Sequence, residues 1–318
     1  MPRMDLGLPY NHCSNTPCRD GFQSPSLLRC GGCQVVKYCG QPHQKAHRPR
    51  HKVQCIPIKQ QKDKVVEEEQ KLWADPGVDT AGENPFESIV GNFWFFKSTL
   101  PYMQARFDHI TAILNRHNCE AAEMALDNSL DLLHLCRGDN LSVRSQDPAL
   151  YLRLSRDQEA YDFINWYAVR DPSYDFHDTS LPFLEKHDED AFEAVNEKPN
   201  FTNLSFFVAL TLIKIRLMKD LEGLQKFVQS KSNAAGEARY DYLQEEAMSD
   251  ILLKRPDIVA QDNYKEIIDE LRRQYSVPMG YTIGSREEAV LVFRNSWYSW
   301  SETEPAIGFI RGVIRNDR

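Results

Sequence analysis

The sequence predicts a mainly α fold that follows a small, cysteine-rich N-terminal module. Three observations carry this. Six of the eight cysteines fall between Cys13 and Cys55. From Phe86 onward, apolar residues recur every three or four positions, the period of one helix face. Strand-like alternation is nearly absent outside the cysteine-rich segment.

The module is built from four close pairs: Cys13-x4-Cys18, Cys30-x2-Cys33, Cys39-x3-His43 and His51-x3-Cys55. A short spacer lets two side chains turn onto one ion, so each pair is half of a tetrahedral shell and four pairs suit two structural Zn2+ ions. Spacing alone allows a sequential arrangement, with pairs one and two on one ion, or an interleaved one that joins one to three and two to four. Thiolate-rich metal sites belong in a reducing environment, which predicts an intracellular protein of the nucleus or cytoplasm. The two remaining cysteines, Cys119 and Cys136, lie in helical patterns and read as small apolar residues.

The run Cys30-Gly-Gly-Cys33-Gln-Val-Val-Lys-Tyr38-Cys39-Gly-Gln-Pro-His43-Gln44, followed by His51-Lys52 and Cys55, resembles a MYND-type zinc finger. The resemblance implies interleaved ligation, with Cys13, Cys18, Cys39 and His43 on one zinc and Cys30, Cys33, His51 and Cys55 on the other. Each site would then carry three thiolates and one imidazole. His43 stands where the family has Cys, and the first pair has a longer spacer than usual, which makes His12 a conceivable substitute for Cys13. In peptide-reading members a Ser, a Gln and a Trp line a groove for proline-rich ligands. Here Gly40 and Arg48 replace the first and last, and Gln44 remains. His47 lies four residues from both His43 and His51, yet Pro49 is expected to interrupt a helix there, leaving His47 a solvated side chain.

In chain order, residues 1–12 read as a disordered lead, 13–55 as the finger and 56–85 as a charged helix and linker marked by Pro76, Gly77, Gly82 and Pro85. A helical-hairpin domain is expected over 86–200. Its helices start at Phe86, after Pro101, at Cys119, after Pro148 and at Asp157, and Gly138 is available for a left-handed cap. Glu120-Ala121 and Glu159-Ala160 recur about 39 residues apart, inside the period range of helical repeats. The hairpins are therefore either tetratricopeptide-like or a non-repetitive bundle. Residues 171–202 are acidic and loop-rich. A C-terminal helical domain, 201–318, is expected to pack on the preceding one, with helices near 203–231, 239–254, 262–275, 285–298 and 304–315. The strings Tyr102-Met-Gln-Ala-Arg-Phe107, Leu133-His-Leu-Cys136 and Gly284-Ser-Arg-Glu-Glu-Ala289 are similar to the helical body of a group of fungal MYND-finger proteins.

The net charge of −8 is uneven. Up to Lys64 there are eleven Lys and Arg against three Asp and Glu, so the remainder is strongly acidic. A basic finger raises nucleic acid as a second class of partner, though two Cys3His zinc sites of about −1 each offset part of the excess. The sequence contains no phosphate-loop, His-Glu-x-x-His or Gly-x-Ser-x-Gly motif. No apolar run reaches membrane-span length. Some MYND fingers interrupt protein-lysine methyltransferases, but the cofactor-binding part precedes the finger there and twelve residues precede Cys13 here. The expectation is a non-catalytic, zinc-binding adaptor with a protein partner.

Overall fold

Apolar periodicity becomes helix along most of the described residues. The computed structural model describes residues 13–15, 18, 27–75, 83–193, 203–231, 236–276, 286–303 and 306–307. Among them the strands are confined to the two-residue β1 (Leu28–Arg29) and β2 (Lys37–Tyr38), paired antiparallel with Leu28 opposite Tyr38 and Arg29 opposite Lys37. The expected 1–12 lead, most of the 76–82 linker and most of the 304–315 helix lie outside the described residues.

The chain divides into two compact units. The first comprises Met1–Asp147 with Asp175–Phe183, and the second Pro148–Tyr174 with Leu184–Arg318. These limits differ from joints at 85–86 and 200–201, because the finger does not stand apart from the helices that follow it. Its last ligands lie on α1 (Gln41–Ala74), and α1 makes its most extensive packing against α3 (Leu100–Leu114). Helix α3 then pairs with α4 (Cys119–Leu135). Val35, Val36 and Tyr38 from the finger are as fully buried as Met103, Ile110, Ile113 and Leu126 from these helices.

Helix α1 runs unbroken through Pro49 and Pro57. Both prolines are exposed, so the carbonyls of Lys45 and Val53, which lose an N–H donor, lie on the solvent side where water can serve them. The expected break at Pro49 is therefore absent. The expected helix over 86–94 is instead α2 (Pro85–Ser88), capped by the Asn84 side chain on the Phe86 N–H at 3.0 Å, and a 3-10 turn at Phe93–Phe95. Gly91 separates them at φ 89°, a conformation closed to most side chains. The left-handed residue after α4 is Asp139 (φ 52°), not Gly138. Asp139 tolerates it because its carboxylate accepts from the Val143 and Arg144 N–H groups at 2.8 and 3.3 Å. Arg137 donates to the carbonyls of Leu181 and Thr179 at 2.8 and 3.2 Å, and Asn92 to that of His177 at 3.0 Å. These bonds tie 175–183 to the first unit.

In the second unit α7 (Leu204–Ser230) is the central helix. Around it pack α6 (Asp157–Val169), α8 (Gly236–Glu246), α10 (Lys265–Ser276) and α11 (Arg286–Ser301). The short α5 (Asp147–Arg153) and α9 (Pro256–Val259) complete the helix order among the described residues. The expected helix over 239–254 is split, because Asp220 of α7 accepts from the Met248 and Ser249 N–H groups at 2.7 and 2.9 Å and ends α8 early. Buried Arg216 bonds Asp157 at 2.7 Å and Thr303 at 2.8 Å, so each buried charge has a partner. The hairpins read as candidate repeats fall in different units: α3–α4 in the first, and α6 with nearly all of α5 in the second.

Candidate metal centre

Strand β1 delivers Cys30, and the turn that follows delivers Cys33. The Cys30 N–H bonds the Val36 carbonyl at 2.9 Å and the Gln34 N–H returns to the Cys30 carbonyl at 2.9 Å, with Gln34 left-handed at φ 61°. Strand β2 ends at Tyr38, which sets Cys39 at the mouth of α1. His43 then lies in the first turn of α1, with His51 and Cys55 one turn apart on its buried side.

Folding gathers these side chains into two tetrads. In the first, Cys13, Cys18, Cys39 and His43 present ligand atoms within 4.8 Å of one another, and in the second Cys30, Cys33, His51 and Cys55 do the same. Pairs one and three therefore meet, as do pairs two and four. With metal–sulfur bonds of about 2.3 Å a tetrahedron has edges of about 3.8 Å. The observed Sγ–Sγ distances are 3.7 Å for Cys18–Cys39 and 3.7 Å for Cys30–Cys55. Cys13 Sγ lies 3.6 Å from His43 Nδ1, and Cys33 Sγ 3.3 Å from His51 Nε2. Cys39 Sγ and His43 Nδ1, at 2.8 Å, are closer than such an edge. All six cysteines are free thiols, and these separations are far beyond a disulfide bond of about 2.05 Å.

Donor chemistry fits zinc at both places. Burial pushes the Cys33 thiol up to about 12, with the charges of Cys30 and Cys55 adding to it. Burial also pulls His51 down to about 4, helped by Arg116 and His47, so its imidazole is neutral and able to donate a lone pair. A crowded thiol cluster of this kind gives up its protons to a divalent cation rather than to water. Among the described residues these two tetrads are the groups of three or more metal-ligating side chains close enough to share an ion.

Residues 11–55 match the family model described as the MYND finger. This segment is a MYND finger. No curated protein and no solved structure matches the chain.

The MYND finger here binds two zinc ions through Cys3His tetrads. It lies against the helices of its own unit. Asn118, the residue before α4, donates from Nδ2 to the Val35 carbonyl at 3.2 Å, and Arg116 reaches Gln54 on α1. His47 belongs to neither tetrad, yet it is no solvated side chain. It is half-buried, bonds the Tyr38 hydroxyl at 3.0 Å through Nδ1 and stacks on the His51 ring at 5.6 Å and 22°. That contact holds the ring of a metal-facing histidine in place. Sequence reasoning missed it because the stack requires α1 to continue past Pro49. In the peptide-groove positions Gln44 is half-buried and Arg48 exposed, and His12 lies outside the described residues.

Proposed function

We propose that the protein is a non-catalytic adaptor that presents a zinc-stapled surface to a protein partner. The observation that carries this is closure of the donor sets. With Cys13, Cys18, Cys39 and His43 as ligands of one ion and Cys30, Cys33, His51 and Cys55 as ligands of the other, each ion has four protein donors. Catalytic zinc keeps one position for water or substrate. A MYND finger is a domain that typically binds proteins, and this one shares a core with α3 and α4, so a partner would meet a fixed surface.

The test has two arms. Metal analysis of the full chain should return two zinc ions, and cobalt substitution should give tetrahedral spectra that added small anions leave unchanged. An exchangeable position on either ion would overturn the structural assignment. Affinity capture should then return partners for wild type that Cys30→Ser loses, and a thermal-shift screen with S-adenosylmethionine should show no stabilisation. The basic α1 favours nucleic acid as a second reading, and a mobility-shift assay at low salt decides it.

A further inference from the structure

The N-terminal part of α1, as far as Gln60, carries a face that the other described residues leave uncovered. Ala46, Pro49, Val53, Ile56 and Gln60 are spaced three, four, three and four residues apart, the interval of a helix-pairing seam, and all five are exposed. Val53 is 70% exposed and Ile56 43%. His51, Cys55 and Ile58 bury the opposite side of the same helix. Lys45, Lys52 and Lys59 flank the seam at the positions just before its first, third and fifth residues, and Arg50 follows Pro49 on the other flank. These flanking positions choose partners in paired helices through charge.

The two halves of α1 treat their charges differently. Further along, Lys71 pairs with Glu67 at 2.7 Å and Glu68 at 3.0 Å, and Lys59 is held by Asp63. Among the described residues Lys45, Arg50 and Lys52 have no ion-pair partner. Unmatched cations beside an exposed apolar stripe form one half of a complementary surface.

We propose that this seam docks an acidic amphipathic helix of a partner protein, a step that rests on the adaptor reading above. The partner's apolar side chains lie along Ala46, Pro49, Val53 and Ile56, and its carboxylates face Lys45, Arg50 and Lys52. A second copy of the same seam is a poor occupant. In a parallel pair Lys45 would meet Arg50, and in an antiparallel pair lysine would meet lysine, so like charges oppose both. Nucleic acid would use the cations and leave Val53 and Ile56 without a role. Pro49 and Pro57 supply no N–H to the Lys45 and Val53 carbonyls, which leaves acceptors near the stripe for donors on the partner.

The probe is a fluorescent helical peptide of about 18 residues, long enough to cover the seam, with leucine at the seam positions and glutamate on both flanks. Controls replace glutamate with lysine, or leucine with serine. The protein is the full zinc-loaded chain. Two exposed double variants are used, Lys45→Glu with Lys52→Glu and Val53→Ser with Ile56→Ser, each checked for two zinc ions and unchanged helicity. The glutamate peptide should bind wild type and lose about tenfold or more in affinity with either variant, while the charge-reversed variant gains the lysine peptide. No binding, equal binding of the two charge forms, or a Val53/Ile56 variant that binds as wild type would overturn the proposal. So would short duplex DNA that competes with the peptide yet is indifferent to Val53 and Ile56. If partners captured by wild type survive both double variants but not Cys30→Ser, the adaptor reading stands and the seam falls.

Discussion

A Cβ built on Gly32 would lie 2.9 Å from the Cys55 Sγ and 3.9 Å from that of Cys30, whereas one on Gly31 meets nothing within 4 Å. Adjacent glycines therefore have different duties: Gly32 lets the turn close over the second tetrad, and Gly31 only completes it. Gly32→Ala should weaken zinc binding at that tetrad by about tenfold or more, and Gly31→Ala should leave it unchanged. Competition with a chromophoric chelator separates the two. His109 on α3 supports a second prediction at this scale. It is buried with both ring nitrogens unpartnered, and burial, with Arg106 and Lys62 nearby, pulls it down to about 4. The unfolded chain, with an ordinary histidine near 6.5, binds this proton more tightly. The contribution is thus complete above about 6.5 and is lost as pH falls toward about 4. His109→Leu should gain urea resistance relative to wild type at pH 5 but not at pH 7, both measured with excess zinc so that shared metal loss cancels. The four close pairs were legible in the sequence from their short spacers. Spacing left open which pairs share an ion, and it is the fold that brings pair one to pair three and pair two to pair four. The His47 stack was not legible, since it depends on a helix passing through a proline.

Among the elements, α1 is held by two different forces along its length. Its buried residues in the first half are His51 and Cys55, both metal-facing, whereas Ile58 and Leu72 bury apolar surface in the second. The first half also carries Pro49 and Pro57, each of which removes a helix hydrogen bond without breaking the helix, and it has little intrinsic tendency to persist alone. Chelation of zinc should therefore expose amides of roughly the first four turns to hydrogen exchange while those beyond Ile58 stay protected. Uniform loss along α1 would refute this division. Arg137→Ala should release 175–183 to proteolysis, because three carbonyl contacts of one guanidinium anchor that segment. Periodicity revealed α3, α4 and α7 because each presents a continuous apolar face. It failed at 86–94, where apolar spacing suits a helix but Gly91 turns the backbone out of it, and at 247–250, where Asp220 captures N–H groups across 28 residues.

For the whole molecule, composition and spacing announced a helical chain with a metal-stapled start, but not where its cores divide. The first unit reaches forward in sequence to take in 175–183 through Arg137 and Asn92, and local pattern carries no trace of such contacts. The division leads to the last prediction. Both tetrads lie in the first unit, and the second is organised around α7 with its own buried pair, Arg216 and Asp157. Zinc bound at about a thousand times its dissociation constant stabilises a site by about 4 kcal/mol, and this linkage acts only on the cooperative unit that contains the ligands. Chelation should then lower the thermal transition of the first unit by about 10 °C or more and leave that of the second in place. Hydrogen exchange assigns each transition, with α3 and α4 reporting the first and α7 the second. If amides of α7 lose protection together with those of α3 when zinc is removed, the two units melt as one, and the finger supports the entire chain rather than its own core.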